Sequence, residues 1–356
     1  MTQATRSTSP VTIGLDLGDR TTHCCVLQGS AVRERMTART THQGIDQALA
    51  NYPGAQVVLE AGSQSPWLSR HLRAKGFQVH VVDPRRVQLI SKDPRKTDRR
   101  DAEMLARLEN GVPELLGRVH HRGEQAQADL ALIRARDQLV QARTCFVQHV
   151  RGTAKAFGVR LPTCSTASFP GRVRELVPEV VHPAIEVVLS QVDALTKSIK
   201  ELDRRVEKLA EERYPEIRKL QAIHGVGPMT STAFVLTIES PERFEESRKV
   251  GSWVGLCPRS FASGDSDPML GISKSGDGYL RRLLVQSANR MLQDNSEDSE
   301  LRRFGQRLLA RGGAAAKKKA ITAVARKLAV LLHHLWRRDL SYDPFYNTNR
   351  KAAAAA

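Results

Sequence analysis

The hydrophobic pattern of the first 110 residues constrains the fold of this chain more than any other feature of its sequence. Three short runs rich in β-forming residues predict an antiparallel meander of strands, at 11–17, 22–27 and 32–39. Helices and strands are then predicted to alternate: helix 43–51, strand 56–60, helix 66–75, strand 78–82, and helices after Pro84 and Thr97. This alternation is typical of an α/β sheet covered by helices.

The rest of the chain divides into segments of different character. Residues 1–110 are predicted to form the α/β domain, 111–219 a helical coiled-coil arm, and 220–341 a mainly α C-terminal domain. Helices are expected in that last domain from Tyr279 and from Lys317. The tail, 342–356, has no apolar period, and we expect it to be disordered.

Two long charged segments, 124–156 and 182–213, predict the helices of the arm. Apolar residues in the second alternate in steps of three and four, as in a coiled coil: Ile185, Val188, Val192, Leu195, Ile199, Leu202, Val206 and Leu209. The first segment fits this pattern less well. A dimerisation stalk and a helical hairpin within one chain both explain the pattern, and the sequence leaves both open.

The charge of the chain predicts what it binds. A formal net charge of +17 and a pI near 10.1 favour nucleic acid as the partner, although acidic proteins and membrane headgroups also attract such a surface. No apolar run approaches the roughly 20 residues that span a bilayer, and the polar N-terminus predicts a cytoplasmic protein, bound to the nucleoid when on DNA. The five cysteines have no Cys-x-x-Cys spacing, which disfavours both a zinc cluster and disulfides.

Four acidic residues, the carboxylate quartet, are the candidate catalytic and metal-binding residues. Asp16 and Glu60 end predicted strands, whereas Asp98 and Asp101 are spaced i, i+3 and project from one helix face. If they converge, their oxygens favour Mg²⁺ or Mn²⁺, which would support phosphodiester chemistry. A turn residue and a solvated helix face are the alternative explanations of the same residues.

Basic residues and a glycine hairpin are candidates for phosphate contacts. The cations around the carboxylate quartet are Arg85, Arg86, Lys92, Arg95, Lys96, Arg99 and Arg100. Further along, residues 223–228 are similar to the turn of a helix-hairpin-helix, with Gly225 and Gly227 exposing backbone N–H groups. Lys317 and Lys318 at a predicted helix start bind phosphate or belong to a solvated turn.

Taken together, these motifs resemble the Asp-Glu-Asp-Asp insertion-sequence transposases, the class that includes pilin-gene invertases and bridge-RNA-guided recombinases. The N-terminal match is Gly14-Leu15-Asp16, Leu59-Glu60-Ala61-Gly62 and Lys96-Thr97-Asp98-Arg99-Arg100-Asp101-Ala102. The C-terminal match is Ile223-His224-Gly225-Val226-Gly227-Pro228, Val254-Gly255-Leu256-Cys257-Pro258-Arg259, Ser263-Gly264, Gly271-Ile272-Ser273-Lys274-Ser275-Gly276 and Tyr279-Leu280-Arg281. His224 stands where proline is usual in the family.

The resemblance implies a ribonuclease-H-like (RuvC-like) domain, in agreement with the predicted strand order, and a C-terminal transposase domain with Ser263 as nucleophile. Without the resemblance, Ser260 and Ser266 are equal candidates, and Ser263 also fits a tight turn. It implies that the carboxylate quartet holds the metal, and it makes Arg259, Lys274 and Arg281 candidate nucleic-acid contacts. It further implies a dimer or tetramer that works with donor DNA, target DNA and a structured noncoding guide RNA.

Other functions fit parts of the sequence. A Holliday-junction-resolvase-like nuclease would use the same carboxylates with water as nucleophile, but it needs neither a long arm nor a serine-bearing domain. A sugar-kinase or actin-like ATPase shares the pattern Gly14-Leu15-Asp16-Leu17-Gly18, yet needs a duplicated second domain. A non-catalytic scaffold leaves the carboxylate quartet unexplained.

Overall fold

The computed structural model describes residues 11–90, 98–259 and 270–355, and the chain divides into two compact units, Met1–Arg122 and Gly123–Ala356. The first is a mixed α/β unit and the second is mainly helical, which confirms the predicted classes. Their boundary falls after the predicted one at residue 110, because Leu116 is buried in the first unit beside Val82 and Val87. The predicted arm and C-terminal domain lie in one unit, since Ile133 of the arm shares a core with Phe234.

A five-stranded sheet forms the centre of the first unit. Its strands are β1 (Val11–Leu17), β2 (Thr21–Gln28), β3 (Ala31–Arg39), β4 (Gln56–Glu60) and β5 (Gln78–Val82), in the order β3-β2-β1-β4-β5. The first three strands are antiparallel, whereas β4 runs parallel to β1 and β5 parallel to β4. The predicted meander and the helix–strand units after it are confirmed. The carboxyl ends of β1, β4 and β5 therefore lie at one edge of the sheet.

Helices cover both faces of this sheet: α1 (His42–Leu49), α2 (Ser65–Ala74), α3 (Pro84–Ile90) and α4 (Asp98–Gly111). Helices α1 and α2 pack on one face, where Ile45 and Leu72 are buried against Leu15. Helix α4 packs on the opposite face, where Ala102 and Ala106 are buried against Cys25 and Leu27. The predicted N-cap of α4, Thr97, lies outside the described residues.

Helices make up the described part of the second unit: α5 (Glu124–Ala156), α6 (Phe169–Val173), α7 (His182–Arg213), α8 (Glu216–Gln221), α9 (Pro228–Ile238), α10 (Ser247–Trp253), α11 (Gly278–Met291), α12 (Glu300–Leu309), α13 (Ala316–Arg338) and α14 (Tyr346–Ala355). Helix α9 is apolar and buried on nearly all sides, as expected of a core helix. No helix in the described part of the chain is long and apolar enough to cross a lipid bilayer.

The long helices α5 and α7 pack against each other within one chain, as in the hairpin alternative. Of the predicted heptad residues, one alternate set is buried: Ile185, Val192, Ile199 and Val206. The other set, Val188, Leu195, Leu202 and Leu209, is partly buried, and Val188 and Leu209 pack against the cores. The residues one position later also face the seam: Leu189, Thr196 and Ala210 are buried, and Asp203 pairs with Arg136.

Polar pairing across the hairpin explains why these later positions face the seam. Arg143 donates from Nη1 to Thr196 Oγ1 at 3.2 Å, and Arg136 forms an ion pair with Asp203. The two arginines are seven residues apart on α5, as are their partners on α7, so antiparallel helices align both pairs together. Ion pairing and hydrogen bonding, as well as apolar packing, therefore determine which residues of α7 face α5.

The C-terminal tail differs from the prediction of disorder. Residues Tyr346–Ala355 form α14, and Glu300 accepts hydrogen bonds from Thr348 N at 2.6 Å and from Thr348 Oγ1 at 2.8 Å. Asn347 Nδ2 also donates to Glu300. Polar contacts to α12, together with the high helix propensity of alanine, replace the apolar period that the segment lacks.

The revised seam predicts unequal costs for truncating two leucines of α7. Leu189 is fully buried beside Val150 and Phe169, so Leu189→Ala should lower the free energy of unfolding by about 2–5 kcal/mol. Leu195→Ala should cost less, about 1–2 kcal/mol, because Leu195 is only partly buried. Urea unfolding followed by circular dichroism gives both values, and Val187→Ala at an exposed position is the control. Equal costs for Leu189 and Leu195 would contradict the observed seam.

Candidate active site and nucleic-acid contacts

Asp16 and Glu60 lie at the carboxyl ends of two neighbouring parallel strands. The register of β1 and β4 pairs Leu15 with Leu59, so the next residues along each strand are Asp16 and Glu60. Adjacent strands are about 4.8 Å apart, which places the two carboxylates side by side at one edge. Both are partly exposed to solvent. We call this end of the sheet, with Asp16 and Glu60, the carboxylate edge.

The two carboxylates also point to the same face of the sheet, the face that α4 covers. Leu15 and Leu59 are buried in the core beneath α1 and α2. Side chains alternate along a strand, so Asp16 lies on the face of Gly14, which contacts Ala102 of α4. By the same alternation Glu60 lies on the face of Val58, which is buried with Leu105 of α4.

Asp98 and Asp101 continue the stripe of α4 that faces the sheet. Asp98 precedes Ala102 by four residues, and Asp101 precedes Leu105 by four, one helical turn in each case. Two strand residues span about 6.6 Å and four helix residues about 6 Å. The contacts of Gln56 with Glu109 and of Val58 with Leu105 show that α4 runs opposite to β4, so the carboxyl end of β4 and the start of α4 lie at the same end of this face. The structure thus brings the carboxylate quartet to one end of one face.

Glycine at position 14 allows α4 to lie directly on β1. A Cβ at this position would be 1.9 Å from Ala102 O and 2.9 Å from Ala106 N, both backbone atoms of α4. Any side chain would therefore push the helix away from the strand. The glycine of the Gly14-Leu15-Asp16 motif has a packing role that the sequence analysis did not identify.

A buried ionic network holds the other end of α4. Glu109 has a fully buried carboxylate that accepts from Arg118 Nη1 and Nη2, at 2.9 and 2.7 Å, and lies 2.7 Å from His80 Nδ1. Nearby, Thr12 Oγ1 donates to Asn110 Oδ1 at 2.6 Å. Because a buried carboxylate is stable only with such partners, these contacts define how α4 sits along β1 and β4.

Histidine 23 is a residue of this edge that the sequence analysis missed. It lies on β2 opposite Asp16, and its Nε2 is 3.6 Å from Asp98 Oδ2. Its only sequence signal is its place in the alternation of β2, where residues 23, 25 and 27 share the face under α4.

The donors of this edge suit a hard divalent cation in their chemistry. All four members of the carboxylate quartet offer oxygen, the ligand that Mg²⁺ and Mn²⁺ prefer. As they stand, no three His, Cys, Asp or Glu side chains among the described residues surround a common point that would hold a metal ion. Binding would therefore require the carboxylates to move closer together, which partly exposed side chains at a helix start can do.

A hydrogen-bonded serine and histidine support the segment that follows Glu60. Ser65 Oγ accepts from Gly62 N at 2.9 Å and lies 2.8 Å from His121 Nε2. Burial, together with the nearby Arg73, Arg70 and Arg122, lowers the pKa of His121 to about 4. His121 is therefore neutral at physiological pH, and its contact with Ser65 fixes the start of α2 beside the carboxylate edge.

The candidate phosphate contacts of the first unit are exposed where they are described. Arg85 and Arg86 lie on α3, and Arg99 and Arg100 lie in the first turn of α4. Lys92, Arg95 and Lys96 lie outside the described residues. Arg99 and Arg100 lie between Asp98 and Asp101 in the first turn of α4, so a phosphate that approaches the carboxylates would pass them.

In the second unit, residues 222–227 form a tight turn between α8 and α9, as a helix-hairpin-helix requires. Gly225 has φ of 84°, a conformation that favours glycine, and a Cβ there would be 3.0 Å from Ser287 O. Gly227 precedes α9 and accepts from Thr230 N at 3.0 Å. His224 lies 3.6 Å from Glu297 through its Nδ1.

The segment that contains Ser263 lies outside the described residues, but both of its flanks are described and pair with each other. Arg259 N donates to Gly271 O at 3.0 Å, and Lys274 N donates to Gly255 O at 3.1 Å. Arg281 on α11 donates from Nη1 to Val254 O and Ser275 O, at 2.8 and 2.7 Å. This arginine, a candidate nucleic-acid contact, thus has a structural role in holding the base of the segment.

Lys317 and Lys318 are exposed in the first turn of α13. Cations at a helix start are unfavourable because the N-terminus carries a partial positive charge. An anion at this end would relieve that repulsion, and both the phosphate contact and the solvated turn stay predictions for these lysines.

Two family models match the chain. One, described as transposase IS116/IS110/IS902 family, matches residues 217–306, and the other, the DEDD transposase domain of IS110 elements, matches residues 13–157. The carboxylate quartet lies within the second match. The hairpin and both flanks of the Ser263 segment lie within the first.

Several curated relatives are similar over most of their length. A probable family 20 transposase of Pseudomonas aeruginosa is 27% identical over 82% of this chain and 87% of the relative. The transposase for insertion sequence element IS1328 of Yersinia enterocolitica is 29% identical over 79% of this chain and 84% of its own. The transposase for insertion sequence element IS1111A of Coxiella burnetii is 25% identical over 93% and 90%.

The contact beneath α4 predicts that Gly14→Ala destabilises the first unit. The added methyl group would overlap Ala102 O, so the free energy of unfolding should fall by about 1–3 kcal/mol or more. Gly62→Ala is the matched control, because a Cβ at Gly62 meets nothing within 4 Å. Thermal unfolding of the three proteins measures the effect. A melting temperature of Gly14→Ala equal to that of Gly62→Ala would rule out the packing role.

Proposed function

The chain belongs to the IS110/IS116 family of transposases and is therefore an enzyme that acts on DNA. We propose that it cleaves and rejoins DNA strands at the carboxylate quartet with the help of Mg²⁺ or Mn²⁺. The observation that carries this proposal is the placement of Asp16, Glu60, Asp98 and Asp101 at one end of one face of the sheet. The strand order agrees with the ribonuclease-H-like fold expected from the resemblance.

The metal would be held by the carboxylate quartet, and when bound it supplies charge that stabilises the phosphodiester transition state. The remaining work belongs to the chain itself. Asp16 and Glu60 are anchored by the strands, whereas Asp98 and Asp101 arrive on a helix fixed at Gly14 and Glu109. The exposed Arg99 and Arg100 would guide the DNA backbone toward this edge.

We propose Ser263 as the nucleophile of strand transfer. Its Oγ would form a bond to a DNA phosphorus, while the DNA oxygen on that phosphorus leaves and takes up a proton as the serine loses its own. The hydrogen-bonded flanks, Arg259 with Gly271 and Gly255 with Lys274, support this proposal because they provide a fixed base for the segment. The reaction requires Ser263 to meet a carboxylate edge, either of its own chain or of another copy.

The proposed partners are donor and target DNA, a structured noncoding RNA as guide, and further copies of the chain in a dimer or tetramer. The net charge of +17 suits polyanions, and the partly exposed Leu195 and Leu202 on α7 would contribute to contact with another copy. The chain would work in the bacterial cytoplasm, on nucleoid DNA. Sequencing of RNA that co-purifies with the protein and its mass by light scattering test these partners.

Single substitutions in the carboxylate quartet test the metal-dependent activity. Asp16→Ala, Glu60→Ala, Asp98→Ala and Asp101→Ala should each lower the rate of recombination with Mg²⁺ by at least about 100-fold, because the charge that holds the metal is removed. DNA binding in gel-shift assays should persist. Asp46→Ala, which removes a carboxylate from α1 on the opposite face, is the control. Near-normal strand exchange by the Asp98 and Asp101 variants would exclude the proposed site.

Ser263→Ala separates the proposed transposase from the water-using nuclease. It should lose both recombination and the covalent protein–DNA adduct, whereas Ser260→Ala and Ser266→Ala should retain them. Trapping the reaction in denaturant and locating the adduct by mass spectrometry provides the measurement. Cleavage without an adduct, or an adduct on another residue, would favour a nuclease of the Holliday-junction-resolvase kind or a different nucleophile.

A further inference from the structure

We infer that His23 is a positioning residue of the proposed metal site, and that it holds the carboxylate of Asp98 toward Asp16. The inference rests on the proposed metal-dependent function. It concerns a side chain that the sequence motifs do not include, on a strand that contributes none of the four carboxylates.

The position of His23 in the sheet places it at the carboxylate edge. The register of β1 and β2 pairs it with Asp16. Cys25 and Leu27, two and four residues later, are buried against Ala102 and Ala106 of α4. By alternation along the strand, the imidazole therefore lies on the same face, beneath the first turn of α4.

The contact between His23 and Asp98 joins a rigid element to an exposed one. His23 Nε2 lies 3.6 Å from Asp98 Oδ2, and the two side chains are 22% and 73% exposed, respectively. Asp98 is the first residue of α4, so its carboxylate has solvent on most sides. A ring anchored in β2 limits the orientations that this carboxylate adopts.

The second nitrogen of the ring, Nδ1, lowers the stability of the fold. His23 Nδ1 is buried and has no hydrogen-bond partner within the described parts of the chain. A buried polar atom without a partner lowers stability, and a valine or threonine on this strand would avoid the cost. Neither valine nor threonine would provide the contact that His23 Nε2 makes with Asp98.

Holding Asp98 matters because the carboxylate quartet comes from two kinds of element. Asp16 and Glu60 are set by the sheet, whereas Asp98 must be oriented from a helix start. When a side chain that orients a metal-binding residue is removed, metal affinity typically falls by about 10-fold to 100-fold. We therefore expect His23 to contribute to metal affinity through Asp98 and without contacting the ion.

Manganese binding to the full-length protein without DNA tests this inference. Electron paramagnetic resonance titration with Mn²⁺ gives the dissociation constant for the wild type and for His23→Ala, His23→Gln and His23→Phe. We expect His23→Ala and His23→Phe to raise the constant by about 10-fold or more. His23→Gln should restore most of the affinity, since its amide N–H reaches Asp98 in place of Nε2. Phenylalanine and glutamine keep a larger side chain in the sheet if alanine unfolds the unit.

A double-mutant cycle with Asp98→Ala shows whether His23 acts through Asp98. In the Asp98→Ala background, His23→Ala should change the dissociation constant by less than about twofold. A full additional loss there, or wild-type affinity in both His23→Ala and His23→Phe, would overturn the positioning role while leaving the metal site intact. No Mn²⁺ binding by the wild type would overturn the proposed metal site, and the inference with it.

Discussion

The close contact between α4 and β1 at Gly14 is the interaction on which the first unit depends. Helix and strand approach so closely that backbone atoms of Ala102 and Ala106 occupy the space of a side chain. Dense packing of this kind fixes the distance between the two elements. Since Asp98 and Asp101 belong to the helix and Asp16 to the strand, the same contact sets the geometry of the proposed metal site. A helix held even slightly farther away would separate the carboxylates.

The acidic residues at the two ends of α4 differ in burial. At the C-terminal end, Glu109 is buried and compensated by Arg118 and His80, so it serves the fold. At the N-terminal end, Asp98 and Asp101 stay accessible beside Asp16 and Glu60. The partial positive charge of the helix start favours carboxylates there. Glu109 thus anchors the helix in the fold, whereas Asp98 and Asp101 begin it beside the ends of β1 and β4.

In the second unit, specific polar contacts decide which surfaces remain free. Arg136 and Arg143 pair with Asp203 and Thr196 across the hairpin seam, and Leu195 and Leu202 on α7 remain partly exposed. Arg281 similarly ties the flanks of the Ser263 segment to α11 through two backbone carbonyls. Both arrangements would give the proposed self-association and the proposed nucleophile a rigid helical support. Sites on such supports are positioned more reproducibly than sites on free loops.

Local patterns in the amino-acid sequence were enough to predict the strands, the long helices, the α/β and helical classes, and the candidate acids, because alternation, helical period and motif spacing are properties of neighbouring residues. They did not reveal His23, since one histidine in a strand has no distinguishing spacing. They also did not show that Thr196 faces the seam, because apolar periodicity does not record which arginines lie on the partner helix. The roles of Gly14 and Glu109, and the approach of Asp98 to His23, were decided by tertiary packing, which brings α4 against strands that come earlier in the chain.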